Sequence, residues 1–193
     1  MQAALGPLIA LSIRDPRTAA RNVLDLTLGR DALWTGLALV AIVNTFLVLG
    51  VLQISPSPMP LPSYFDNPLV LYVLITGLTV VYVHAMYWAG LTIGGKGELR
   101  DVLALVVWFQ VLRAAAQVAL IVLSFAVPGL GALASLVVAV WGIWIFMNFI
   151  ATALNLASPW HAIAVLLVAF VGLVLGLGVL MALIGGLAQG VAG

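Results

Sequence analysis

The chain has 193 residues, 65% of them hydrophobic and 7% charged, with a formal net charge of +1 at pH 7. Soluble domains carry about 25% charged residues, so a mean hydropathy of +1.28 marks an integral membrane protein. No basic stripe could neutralise a phosphate backbone, which excludes nucleic acid as a partner. The lack of cysteine excludes disulfides, thiolate metal sites and a cysteine nucleophile.

Met1–Ile13 has no leading positive charge and is too short to span a bilayer, which takes about 20 residues. It is therefore read as neither a secretory signal nor a span. The following stretch, RDPRTAARNVLDLTLGR, predicts a helix: Asp15 suits the N-cap, Pro16 the first helical position and Gly29 the stop. Ala20, Val23, Leu24, Thr27 and Leu28 follow helical spacing, while Arg17 and Arg21 stand one turn apart on another face. The expectation is an amphipathic helix lying along the cytoplasmic membrane surface. It would serve as a topology anchor or as a docking surface for a partner or lipid headgroups. Residues 1–31 form this cytoplasmic segment.

Five apolar stretches follow, at 32–53, 68–93, 102–127, 132–153 and 159–187. Lipid admits only helices or closed barrels, and alternating barrel patterning is missing. The predicted fold is therefore all-α: a polytopic membrane helix bundle with five transmembrane helices over residues 32–187, ending in a tail at 188–193. The longest connection, ISPSPMPLPSYFDNP, carries Pro56, Pro58, Pro60 and Pro62 and predicts an extended link. GGKGELRD joins spans two and three, and PGLG spans three and four. LNLASPW leads into span five, with Ser158 as N-cap and Pro159 at the first helical position.

Arg14, Arg17, Arg21 and Arg30 precede span one, and Lys96 and Arg100 lie between spans two and three. Five spans put both groups on one side, while the other side carries Asp66 and no Lys or Arg. The positive-inside rule then predicts a bacterial inner-membrane protein with a cytoplasmic N-terminus and a periplasmic C-terminus. Trp34, Tyr87, Trp88 and Trp160 near the cytoplasmic ends, and Tyr64, Phe65 and Tyr72 near the opposite ends, read as aromatic belts.

Within the spans the polar residues stand out. Gln110, Arg113 and Gln117 are spaced i, i+3, i+7 and share one face of span three, which Ser124 continues. Such seams normally face the bundle interior. Trp108 lies on a roughly opposite face. By depth, Asn44, His84 and Asn148 could converge with Arg113 in one layer. No Asp or Glu lies inside a span, so the donors of Arg113 must go to amides, carbonyls, water or a lipid phosphate. Three readings follow: a structural polar core, a contact for an anionic lipid group, or part of a transport path. Two histidines without acids give no metal-site spacing, and no cofactor is expected. Gly131, Ser135 and Ala139, then Gly172 with Gly176, then Ala182, Gly186 and Gly190 recur at spacings that allow close helix approach. They serve contacts within the bundle or self-association through span five.

The blocks RDPRTAAR, GGKGELRDVLALVVWFQVL and WGIWIFMNFIATALNLASPWHAIAVLLVA resemble bacterial members of the Yip family, the Ypt/Rab-interacting-protein-like membrane proteins. The resemblance covers nearly the whole chain. It implies a five-span bundle that is not an enzyme. Eukaryotic members sit in secretory-pathway membranes and are implicated in Rab interaction, vesicle traffic and membrane shaping. The chain lacks their long cytoplasmic N-terminal region, so Rab binding is not carried over. The expected function is non-enzymatic membrane organisation or docking of a partner or lipid. The alternative is a small transporter or lipid-handling protein built around Arg113. Expected partners are the bilayer, with anionic lipid a candidate, and a protein partner or a second copy of the chain.

Overall fold

Two short helices precede five long ones. The computed structural model describes residues 5–54, 65 and 67–192, with side chains described up to residue 176 apart from residue 128. The short helices are α1 (Leu5–Arg14) and α2 (Pro16–Leu24). The long ones are α3 (Arg30–Ile54), α4 (Pro68–Thr92), α5 (Leu99–Ala126), α6 (Pro128–Ala153) and α7 (Pro159–Ala192). All five long helices are long and apolar enough to cross a membrane, as the expected spans required. Most of the proline-rich link, including its four prolines, and Asp66 lie outside the described residues.

Local chemistry sets the helix ends. The Asn67 side chain accepts from the Leu69 and Val70 amides, and Pro68 opens α4. The Asp101 carboxylate accepts from the Glu98 amide, so α5 starts at Leu99, three residues before the expected span. At the far end Val127 alone separates α5 from α6, because Pro128 suits a first turn that needs no amide donor. Gly131 makes this tight hairpin possible, since a Cβ there would run into the Ser124 hydroxyl. Gly172 and Gly176 on α7 face open space instead, and Ala182, Gly186 and Gly190 lie where side chains are not described.

The long helices form a ring in the order α3, α4, α7, α6, α5, and α4 also touches α5 across it. Lipid tails are as apolar as leucine, so dispersion and close packing hold such a ring together rather than exclusion from water. Among the described residues, the largest fully buried side chains, such as Leu105, Phe149, Ile150 and Leu154, gather toward the end carrying Lys96 and Arg100, here termed the basic end. Phe109 meets Phe146 at 4.8 Å between ring centroids and Phe149 at 6.4 Å, and Tyr82 stacks on Phe146 at 6.0 Å. These arrangements suit offset or edge-on aromatic contact. Trp88 and Trp160 are 62% and 74% exposed at the basic ends of their helices, as an aromatic belt requires.

The N-terminal segment departs from expectation in three ways. Residues before Asp15 form a helix of their own, α1. The amphipathic helix α2 stops at Leu24, because the chain must reverse before α3 begins. Thr27 takes a left-handed conformation (φ 45°) within that reversal, so Thr27 and Leu28 leave the predicted apolar face. Finally, α2 does not lie free on a surface but packs on α5 and α6. Ala19 and Ala20 are fully buried, and such small side chains let helix backbones approach closely. The predicted N-cap is present: Asp15 accepts from the Thr18 amide at 3.2 Å and the Thr18 hydroxyl at 2.6 Å. These two bonds hold the Asp15 carboxyl below its usual pKa. A depressed carboxylate stabilises above its unfolded pKa, so the cap is lost only as pH falls through the lowered value.

Candidate functional site

Three long-range hydrogen bonds fasten the N-terminal segment to the bundle. The Trp108 indole donates to the Ser12 hydroxyl at 3.0 Å, and Ser12 in turn donates to the Leu8 carbonyl. The Trp141 indole donates to the Ile13 carbonyl at 3.1 Å, next to the Trp144 ring. The Arg17 Nε donates to the Asn148 side-chain oxygen at 3.1 Å. Ser12 is fully buried and Trp108 only 9% exposed. The face of α5 opposite its polar seam therefore receives α1. Removing the indole donor would leave the buried Ser12 oxygen without the N–H it accepts. Trp108→Phe is expected to cost about 1 kcal/mol and to speed amide exchange across α1 and α2. Exchange in α7 should not change.

At the basic end, α2, α5 and α6 line an open cavity of about 360 Å³. Arg17, Arg21 and Asp25 reach it from α2 and its cap, Asp101 from the start of α5, and Thr152 and Asn155 from the end of α6. Arg21 donates to the Thr18 hydroxyl at 2.9 Å. Arg14, Arg30, Lys96 and Arg100 are exposed around the same end.

The intramembrane polar residues do not meet in one layer. Arg113 donates to the Asn44 side-chain oxygen at 2.9 Å, while the Asn44 amide donates to the Val40 carbonyl. These two residues are brought together as expected. Asn148 is engaged by Arg17, with its amide on the Trp144 carbonyl. His84 places Nδ1 at 2.8 Å from the Val80 carbonyl and lines a groove of about 640 Å³ between α4 and α7. The reason is angular: residues at one depth still point in different directions around a ring of helices. Nor does the seam face wholly inward. Asn44 is buried, but Arg113 is exposed, and with Gln117 it lines a mainly apolar groove of about 590 Å³ between α3, α5 and α6. Gln110 is half-buried and does not line that groove.

Five apolar helices, a docked N-terminal pair and charge gathered at one end define a multi-pass α-helical membrane protein. The family model for the Yip1 domain matches residues 10–183, and the chain belongs to that family. The match begins within α1 and so takes in α2 and its docking contacts. No curated protein matches the chain, and no solved structure does.

Proposed function

We propose that this chain is a non-enzymatic membrane organiser acting from the cytoplasmic leaflet of a bacterial inner membrane. The observation that carries this reading is the fastening of α1 and α2 to α5 and α6 through Trp108, Trp141 and Asn148. A helix on a tether inserts and withdraws independently of the bundle; a fastened one is a fixed wedge. Its outer surface combines apolar Leu5 and Ile13 with Arg14 and Arg21. That mixture suits the boundary between headgroups and acyl chains. Each arginine near an anionic leaflet contributes about 1 kcal/mol. Six of the seven Lys and Arg residues precede α3, lie between α4 and α5 or fall in the first two residues of α3 or α5, which supports placing this end in the cytoplasm. Material fixed in one leaflet only gathers anionic lipid and unbalances the two leaflet areas.

The test is reconstitution of the full chain in vesicles containing a fluorescent anionic lipid. Wild type should gather the lipid, and Arg14→Gln with Arg21→Gln should weaken the gathering severalfold. Equal gathering by both proteins would sink the reading. The Arg113 groove favours a second reading, lipid handling, because a guanidinium opens there on a mainly apolar surface. Identical lipids co-purifying with wild type and Arg113→Ala would dismiss it.

A further inference from the structure

The cavity at the basic end is balanced in charge. Arg17 and Arg21 supply two guanidinium groups, and Asp25 and Asp101 supply two carboxylates. Their hydrogen bonds go to neutral groups: Arg17 to Asn148, Arg21 to Thr18, and Asp101 from the Glu98 amide. None of these bonds joins a guanidinium to a carboxylate. Arg21 and Asp25 stand one turn apart, where an ion pair forms readily, yet Arg21 turns to Thr18. Both guanidiniums keep further N–H donors, since each has five. Thr152 uses its hydroxyl hydrogen on the Asn148 carbonyl and keeps its oxygen as an acceptor.

A purely anionic ligand would meet two carboxylates here, and a purely cationic one two guanidiniums. A ligand carrying both charges meets a partner for each. Besides α2 and its cap, the walls come from the start of α5 and the end of α6, beside Lys96, Glu98 and Arg100, which is headgroup depth for a membrane protein. A volume of about 360 Å³ accommodates a small headgroup. We infer that this cavity binds the phosphoethanolamine headgroup of a zwitterionic phospholipid. Its phosphate lies against Arg17 and Arg21, and its primary ammonium donates to Asp25 and Asp101. Planar guanidinium suits the phosphate. The ammonium must donate hydrogen bonds to reach both carboxylates, which a trimethylammonium group cannot do. The inference rests on the proposed placement of this end among headgroups, but not on the gathering of anionic lipid by Arg14 and Arg21.

The test is native mass spectrometry of the full chain released from nanodiscs with equal phosphatidylethanolamine, phosphatidylcholine and phosphatidylglycerol. Wild type should retain phosphatidylethanolamine about tenfold over each competitor, the ratio expected from one charge-assisted hydrogen bond. Asp25→Asn with Asp101→Asn should abolish the preference over phosphatidylcholine and turn retention toward phosphatidylglycerol. Arg21→Gln, which leaves the Arg17 contact to Asn148 in place, should lower retention of phosphatidylethanolamine. Free phosphoethanolamine should displace the lipid. Retention in the supplied proportions overturns the inference, as does an unchanged preference in the Asp variant. Uptake of free phosphoethanolamine with no lipid retained overturns the lipid assignment. If the preference fails while anionic lipid is still gathered, only this inference falls; the converse removes only the organiser reading.

Discussion

Gly97→Ala is expected to destabilise the bundle by about 3 kcal/mol, the upper part of the range for overpacking. A Cβ at position 97 would fall inside the Ala153 carbonyl, and the neighbouring backbone of Leu154 offers no room to yield. The loop cannot simply lift away. The Lys96 amide donates to the Leu154 carbonyl at 2.9 Å, so the loop between α4 and α5 satisfies the C-terminal end of α6. Gly95 is nearly as confined, since its Cβ would lie 2.8 Å from the Gly90 carbonyl oxygen. Gly94 is the control. It has φ 91° but no neighbour within 4 Å, so Gly94→Ala carries only backbone strain of about 1–2 kcal/mol. Unfolding in mixed micelles should rank Gly97→Ala well below Gly94→Ala. Equal losses would mean that the loop does not hold α6.

The second large effect concerns the pair Asn44 and Arg113, and it is asymmetric. Asn44→Leu removes the amide that receives the guanidinium and leaves a charge half-way along an apolar helix. The cost of an arginine at that depth is about 2.5–3.5 kcal/mol on insertion scales. Asn44→Leu should therefore lower stability by about 2–3 kcal/mol. Arg113→Leu removes the charge itself and leaves only an amide oxygen to desolvate, so it should be near neutral or stabilising. The double variant should recover most of the loss from Asn44→Leu. Steric trapping in bicelles measures all three proteins on one scale. If Arg113→Leu costs as much as Asn44→Leu, the guanidinium is itself a strut of the bundle rather than a group with stability to spare for a ligand.

The residues behind these effects differ in how visible they were beforehand. Arg113 stood out because charge is rare in a span, and Asn44 because its depth matched. The direction of each side chain around its own helix was not legible, so His84 and Asn148 were drawn into a layer they do not share. Arg17 read as a surface cation, but it reaches Asn148 across 131 positions of sequence. The cavity beside it combines α2 with the start of one helix and the end of another. The glycine-rich loop was recognisable as a connection, yet nothing in GGKG says which carbonyl will press against its last glycine. Trp108 could have met lipid or a neighbour; that it meets Ser12 required a helix before Asp15 to exist.

By itself, the sequence determined the all-α class, the five crossings, the gathering of cations at one end and most helix boundaries. These follow from constraints that act within a segment: backbone hydrogen bonds must close inside a helix in lipid, charges are expelled from the spans, and caps are set by residues within one turn. Only the tertiary structure decided where α1 and α2 dock, which polar residues meet, and that four charged groups share a cavity at the basic end. Those outcomes depend on the rotation of each helix about its axis and on its order in the ring. Close packing of small and aromatic side chains sets both, and that packing is shared among helices far apart in the chain.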